Sequence, residues 1–181
     1  MKNLLAILTV LTLVLASSSF GFDGHRRGFV LGGGLGFSPV ASWEVDGTTI
    51  DESGAGIGLN LLIGYAWDDQ NMIVYEGNIA GWKSDFFLDR QVSQGFNGAS
   101  WYHYFGETGR TAFTTLGIGY YVFGVEDFDN NDLGLGILAG AGYEFAKHWQ
   151  IGAYYSLGKT SDSFFDYNHY HFNFLVGGIF F

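Results

Sequence analysis

Two histidines and an acid near the end of the chain have the residue types of a metal site. His169 and His171 are spaced i, i+2, and Asp166 precedes them by three residues. Imidazole nitrogens and a carboxylate oxygen are ligands that zinc takes in proteins. Two histidines beside a loop are more commonly ordinary polar residues, however, so we predict no metal site here.

A second candidate site is the acidic segment 126–132, EDFDNND. Its alternating acids resemble the start of a calcium-binding loop, but the glycine at position six and the acid at position twelve are missing. We interpret it as part of an acidic, hydrated surface on the loops, with recruitment of a divalent cation or a basic partner as the alternative. The acids of this surface are Glu44, Asp46, Asp51, Glu52, Asp85, Asp89, Glu126, Asp127, Asp129, Asp132, Asp162 and Asp166.

A hydrolytic site is the third possibility, and it needs a nucleophile beside a general base. None of the histidines in 102–104, 147–149 and 168–171 is followed two residues later by a serine. Gly32-Gly33-Gly34 is followed by no helix pattern, which argues against a phosphate-binding loop. We therefore predict that the protein is not an enzyme and binds no cofactor.

Composition indicates the environment in which the chain folds. Charged residues make up 14% and aromatic residues 19%, whereas a soluble surface carries roughly 25–35% charge. After residue 21 no apolar stretch approaches the length of about 20 residues that a membrane helix needs. Such a chain can still cross lipid as a closed β-barrel, in which strands pair every backbone polar group. The net charge of −10 argues against nucleic acid as a partner.

The first residues indicate export. Met1-Lys2-Asn3 gives a short positive start, residues 4–16 are a run of apolar residues and threonines, and small residues follow. The run is too short for a membrane helix and has the form of a signal peptide. We predict that residues 1–21 contain this peptide, cleaved after Ser18 or after Gly21, and that residues 22–181 form one barrel domain.

Alternation with period two predicts the strands. In the segment 55–67 the odd positions from Ile57 to Trp67 are large and apolar, while the even positions are small or polar except for Leu62. A membrane barrel turns its bulky face to lipid and its glycines and polar residues to the lumen. We predict an all-β fold, an up-and-down antiparallel transmembrane barrel of eight strands: 28–37, 55–67, 72–82, 96–105, 111–125, 133–145, 149–157 and 169–181.

The connections between these strands alternate in length. Short turns are predicted at 68–71, 106–110 and 146–148, and longer loops at 38–54, 83–95, 126–132 and 158–168. This alternation is typical of outer-membrane barrels, whose short turns are periplasmic and whose long loops are extracellular. Both termini are then expected in the periplasm.

Aromatic residues lie near both ends of the predicted strands, where they favour headgroup-level girdles. The predicted periplasmic girdle is Phe29, Tyr65, Trp67, Tyr75, Tyr104, Tyr143, Phe145 and Trp149. A looser set near the loops is Phe37, Phe96, Tyr120, Tyr155 and Phe172.

The inward face carries a predicted polar network. Its members are Asn60, Glu76, Asn78, Glu144, Gln150 and Tyr154, joined by His169, His171 and Asn173 if the bulky positions of the last strand face outward. Buried acids need partners, and the candidates are Arg110, His103 and the two histidines. The network forms either the gate of a narrow pore or the filling of a closed barrel. We favour the filling, because an eight-stranded interior is just wide enough for its own side chains.

The signal peptide, the strand count, the segments Gly117-Ile118-Gly119-Tyr120 and Gly140-Ala141-Gly142-Tyr143, and the terminal phenylalanine resemble small OmpA/OmpX/OmpW-type outer-membrane barrels. The resemblance covers the mature chain. It implies the bacterial outer membrane, the lipid bilayer and lipopolysaccharide as surroundings, and a terminal aromatic, Phe181, that the barrel-assembly machinery reads. The bulky positions of the last strand, from Tyr170 to Phe180, lie one residue out of register with Phe181.

Three functions fit these observations. The first is a structural or surface-interaction barrel with a closed lumen. The second is a narrow pore or a conduit for small or apolar molecules, and the third, less favoured, is a barrel enzyme that modifies lipid.

Overall fold

The computed structural model describes residues 25–45, 48–84, 90–126, 132–161 and 166–181, so the predicted signal peptide lies outside the described residues. The strands are β1 Gly28–Val45, β2 Thr48–Ala66, β3 Asn71–Ser84, β4 Arg90–Tyr104, β5 Thr111–Val125, β6 Asp132–Ala146, β7 Trp149–Ser161 and β8 Asp166–Phe180. They form a closed barrel in chain order, and β1 pairs with β8 in antiparallel register. The predicted eight-stranded antiparallel barrel is confirmed. In the described ranges, no helix is long and apolar enough to cross a membrane.

The prediction of a loop over residues 38–54 was wrong, because most of these residues belong to β1 and β2. β1 and β2 continue as a hairpin whose pairing runs from Val40–Ser53 to Val45–Thr48. The apolar alternation stops before this hairpin, but backbone pairing needs no alternation to continue. The register shifts between Ser38 and Val40, at Pro39, which has no N–H for the ladder and therefore suits a bulge.

The barrel exposes its large apolar side chains on the outside. Along β2, Ile57, Leu61 and Tyr65 are each more than half exposed, whereas Leu62 and Ala66 are buried. Trp67, Trp101 and Trp149 also point outward. The described wall is thus apolar outside, the reverse of a barrel that folds in water.

The interior is filled by rings, and glycines make room for them. Phe96, Tyr102, Tyr104, Phe113, Tyr121 and Tyr154 are fully or almost fully buried. A Cβ on Gly158 would lie 2.0 Å from Cγ of Tyr121, and one on Gly117 would lie 2.9 Å from Cζ of Phe96. These two positions carry glycine because a side chain there would collide with the ring of Tyr121 or Phe96.

Two aromatic residues were assigned to the wrong face. Tyr104 and Phe96 were predicted in the outer girdles, but both are completely buried inside. They share the even positions of β4 with the buried Tyr102, while the odd position 101 carries the outward Trp101. An aromatic ring suits lipid and barrel interior equally, so strand parity decides between them.

Candidate functional site in the barrel interior

The turn end of the interior is closed by an arginine that precedes the first strand. Arg26 is completely buried, and its guanidinium donates to the carboxylate of Glu144 and to the backbone carbonyl of Asp69. Its Cζ lies 3.5 Å from the centre of the Tyr104 ring. Cation, carboxylate and ring therefore form one plug at this end of the barrel.

The segment that precedes β1 is held against the turn between β2 and β3. The backbone N–H of Arg26 donates to Oδ1 of Asp69 over 2.7 Å, and Nδ1 of His25 lies 3.0 Å from Oδ2 of the same residue. The pKa of Asp69 lies below its usual value, chiefly because of the hydrogen bond from His25. Burial, the next largest influence, raises this pKa, and the hydrogen bond from the Arg26 backbone lowers it again. Asp69 thereby anchors the N-terminal segment to the turn between β2 and β3.

The turn between β6 and β7 completes this end. His148 adopts a left-handed backbone with φ of 69°, and its Nδ1 donates to the carbonyl of Ile179 over 2.9 Å. Burial lowers the pKa of His148, which keeps the imidazole neutral. Its ring centre lies 4.8 Å from that of Phe181, and Phe181 is buried while Phe180 is partly exposed.

The middle of the interior holds the second buried acid. The hydroxyl of Tyr102 donates to Oε2 of Glu76 over 3.0 Å, and Nδ2 of Asn78 donates to Oε1 over 3.3 Å. Asn78 in turn accepts a hydrogen bond of 2.7 Å from Nδ2 of Asn173. Glu76 is thus held by neutral donors from β3 and β4, and β8 extends the chain of bonds.

The loop end of the interior contains the two histidines. Nδ1 of His171 lies 2.7 Å from the hydroxyl of Tyr121, and Nε2 of His169 lies 2.7 Å from the hydroxyl of Thr160. The His169 ring stacks on Phe123 at 4.7 Å between centres. Within the described parts of the chain, no group of three histidines, cysteines or acids could hold a metal.

The structure places the predicted network inside the barrel but divides it into separate groups. Glu144 and Arg26 lie at the turn end, where Gln150 accepts a 2.9 Å hydrogen bond from the Tyr104 hydroxyl. Asn60 is half-buried beside Tyr154 and Leu175. The gap that these side chains line with Gln150 has no room for a water molecule.

The predicted partners of the acids were wrong. Arg110 is exposed, and His103 is half-buried with its Nδ1 2.9 Å from Oδ1 of Asn71. The partner of Glu144 is Arg26, which no strand pattern indicated because it precedes β1. Its signal in the sequence was a basic pair, Arg26-Arg27, directly before the first alternating segment.

On the outer face, the remaining predicted girdle residues all point away from the barrel. These residues, each about half exposed, are Phe29, Tyr65, Trp67, Tyr75, Tyr143, Phe145 and Trp149. The hydroxyl of Tyr75 lies 2.8 Å from that of Tyr120, a residue of the predicted loop-side set. Because these two tyrosines contact each other on the outer wall, the predicted periplasmic girdle and the predicted loop-side set are not separated at this point.

The barrel wall has a gap near its loop end. Pairing of β2 with β3 ends at Ile57 and Gly81, although β2 pairs with β1 as far as Thr48 and β3 pairs with β4 as far as Ser84. A cavity of about 700 Å³ opens at this gap. Side chains of both faces line it, outward ones such as Leu59 and inward ones such as Val92.

Comparison with solved structures identifies the fold. The crystal structure of Ail, the attachment invasion locus protein of Yersinia pestis, matches with a TM-score of 0.55 and 15% identity over 85% of this chain and 99% of that one. Neisserial surface protein A matches with a TM-score of 0.56 and 13% identity over 87% and 99%. The chain has the fold of the small eight-stranded outer-membrane barrels.

A further match is Ail in complex with the heparin analogue sucrose octasulfate, with a TM-score of 0.53 and 17% identity over 85% of this chain and 99% of that one. No protein-family model matches the sequence. No curated protein matches it either.

Proposed function

We propose that the mature chain is an integral barrel of the bacterial outer membrane with a structural or surface-interaction role. Its turns and both termini lie in the periplasm, and its loops face the outside. The interior is filled rather than open. The loops, not the lumen, then carry the contacts with other molecules.

The observation that carries this proposal is the polarity of the wall. Leu135, Ile118 and Leu116 are each more than 60% exposed on the outer face, whereas Arg26 and Glu144 are completely buried inside. In water this arrangement would leave a large apolar surface uncovered. In a bilayer the same surface is solvated by acyl chains, and the paired strands satisfy the backbone.

Electrophoresis of the folded and the boiled protein tests membrane insertion. A protein refolded into lipid vesicles should migrate differently before and after boiling and should stay with the vesicles during flotation. A matched pair of variants checks the faces. Leu61→Arg should impair insertion, since a charge on the lipid face costs about 2–4 kcal/mol near the midplane, while Leu61→Phe should insert. A protein that is monomeric in buffer without detergent would contradict the proposal.

The buried rings support a closed lumen. Phe96, Tyr102, Tyr104, Tyr121 and Tyr154 are all buried in the interior, as expected of a narrow eight-stranded barrel filled by its own side chains. We expect the protein to leave a planar bilayer silent. Discrete, reproducible channel openings by the purified protein would contradict a filled interior.

The acidity of the chain supports a particular kind of surface partner. The chain has a net charge of −10, and its predicted loops are rich in acids, several of which lie outside the described residues. Such a surface favours cations or basic partners and repels polyanions. Unlike the Ail crystallised with a heparin analogue, this protein should pass through a heparin column at low salt, and retention would contradict the proposed charge preference.

A conduit for small apolar molecules is the second candidate. The observation that favours it is the cavity at the gap between β2 and β3. Uptake of an apolar dye into vesicles, compared with and without the barrel, would detect such transport. We propose no catalytic role, and incubation with lipopolysaccharide should leave the mass of its lipid A unchanged.

A further inference from the structure

We infer that the free edge of β2, residues 48–56, binds an extended basic segment of a partner protein, which pairs with it as an added β-strand. This inference rests on the proposed function, because it needs the loop side of the barrel to face the outside. The backbone of β2 would supply the affinity, and the acidic residues beside this edge would select a basic partner.

The first argument is a break in the pairing of the barrel wall. β2 pairs with β3 only as far as Ile57 and Gly81, whereas it pairs with β1 as far as Thr48. Within the described residues, no strand therefore pairs with the second edge of β2 over residues 48–56. The backbone N–H and C=O groups along this edge are free to bond to another chain.

The second argument is that this edge lies outside the membrane and belongs to a continuous sheet. A barrel strand crosses the hydrocarbon with about 9–11 residues, and the part of β2 that pairs with β3, 57–66, already has this length. Residues 48–56 then project beyond it by up to about 30 Å. They are backed by β1, which pairs in turn with β8 as far as Val45 and Tyr167. The edge is thus the margin of a multi-stranded sheet rather than of an isolated hairpin.

The third argument is that the edge lacks common features that prevent strand addition. Exposed edges are often protected by proline, by lysine or by being very short. The sequence of residues 48–56, TTIDESGAG, contains neither proline nor lysine. A partner segment can therefore form backbone hydrogen bonds along this edge, which is the way in which several peptide-binding domains capture extended chains.

The fourth argument is the charge beside the edge, which selects the partner. The acids of the hairpin formed by β1 and β2 are Glu44, Asp46, Asp51 and Glu52. No lysine or arginine occurs from residue 28 to residue 82. Across the gap, Lys83 and Glu126 offset each other in charge. A strand that carries lysine or arginine is therefore attracted to this edge.

The same acids disfavour a second copy of this chain as the partner. Two copies paired along the whole edge would place Glu52 opposite the Glu52 of the other copy. Like charges directly opposite each other destabilise a sheet. The acids therefore act against self-association and in favour of a basic strand.

Peptide binding to the barrel in phosphatidylcholine vesicles tests the inference. The probe is a fluorescent ten-residue peptide of alternating lysine and threonine, and its binding is followed by fluorescence anisotropy. The first comparison is the same peptide methylated on neighbouring backbone nitrogens at its centre, which keeps the charge but blocks hydrogen bonding along both of its edges. We expect methylation to weaken binding by about tenfold or more, the equivalent of one or two hydrogen bonds. Glutamate in place of lysine should abolish binding.

A charge-reversed protein locates the site. Asp51→Lys combined with Glu52→Lys should weaken binding of the lysine peptide by about tenfold and should allow the glutamate peptide to bind. Asp127→Lys combined with Asp129→Lys makes the same change of net charge between β5 and β6. This matched control should leave binding nearly unchanged. Each variant is first shown to be folded by its shift on boiling, which separates failure of this inference from failure of the proposed membrane location.

Cysteine cross-linking places the peptide on the edge, since the chain has no cysteine of its own. Ser53→Cys should form a disulfide with a cysteine at the centre of the lysine peptide, whereas Asn130→Cys, between β5 and β6, should not. A disulfide between two copies of the Ser53→Cys protein, formed in preference to the one with the peptide, would assign the edge to a second copy and overturn the inference.

Two further results would overturn it. Equal affinity for the methylated and the unmethylated peptide would show that the backbone edge is not used. An equal loss of affinity in the two charge-reversed proteins would indicate diffuse attraction to the acidic surface rather than binding at β2.

Discussion

The two ends of the barrel interior bury polar side chains by different means. At the turn end a full cation, Arg26, pairs with the carboxylate of Glu144. At the loop end His169 and His171 hydrogen-bond to hydroxyl groups instead. A buried charge needs an opposite charge, whereas a neutral imidazole, with one N–H donor and one acceptor nitrogen, can be buried beside neutral hydrogen-bonding groups.

This difference affects how each end depends on the rest of the chain. The loop end is built from residues of the strands that surround it, β5, β7 and β8. The turn end depends on a residue that precedes the barrel and is 118 positions from its partner. We therefore expect the turn end to respond more strongly to single substitutions.

Removal of Arg26 should have the largest effect. Arg26→Ala leaves Glu144 buried without its cation, which should lower the free energy of unfolding by about 3–5 kcal/mol. Urea unfolding of the protein in vesicles measures this. Arg27→Ala, one residue further on and exposed, is the matched control and should change little. Arg26→Met combined with Glu144→Gln should recover much of the lost stability. If Arg27→Ala destabilised the protein as much as Arg26→Ala does, the stabilising role of the Arg26–Glu144 pair would be refuted.

Crowding the loop end should have the next largest effect. Gly158→Ala places a Cβ against the Tyr121 ring, and such overpacking costs about 1–3 kcal/mol. Gly81→Ala, whose Cβ would make only an ordinary 3.8 Å contact with the Val92 carbonyl oxygen, is the comparison. The same urea titration applies, and equal stability of the two variants would mean that Tyr121 does not lie over Gly158.

A matched pair of hydroxyl deletions compares the two ends directly. Tyr104→Phe removes the bond to Gln150 but keeps the ring beside Arg26, and Tyr121→Phe removes the bond to His171. Each should cost about 1 kcal/mol. Tyr155→Phe on the outer face is the control. A much larger loss for Tyr104→Phe would indicate that its hydroxyl, as well as its ring, supports the ion pair.

The smallest effect concerns pH at the turn end. Burial lowers the pKa of His148 below its usual 6.5, so the unfolded chain binds the proton more readily. Stability is then fully present above pH 6.5 and is lost as the pH falls toward the lowered value in the folded protein. His148→Asn, which tolerates the left-handed backbone, should flatten the unfolding free energy between pH 7 and 5. An unchanged pH profile would contradict this role.

Particular residues show how far the sequence could predict the fold. The alternation from Ile57 to Tyr65 predicted both the strand and its outward face, because a period of two is visible without any partner strand. It could not predict the hairpin from Val40 to Ser53, since pairing there depends on the neighbouring strand. Phe96 and Tyr104 were misplaced for a related reason, because an aromatic ring suits either face.

The interior shows the same limit. Glu76 and Glu144 were predicted to point inward from strand parity, and the structure places both inside. Their partners could not be predicted, because closing the barrel brings together residues that are distant in the chain. The roles of the network and of Phe181 stay predictions.

The sequence by itself determined the eight strands, the apolar outer face and the inward acids, because each follows from local alternation and composition. Only the tertiary structure decided that Arg26 neutralises Glu144, that rings fill the space above glycines, and that the wall opens between β2 and β3. The physical reason is that barrel closure and strand register are properties of pairs of distant segments, and a linear pattern records one segment at a time.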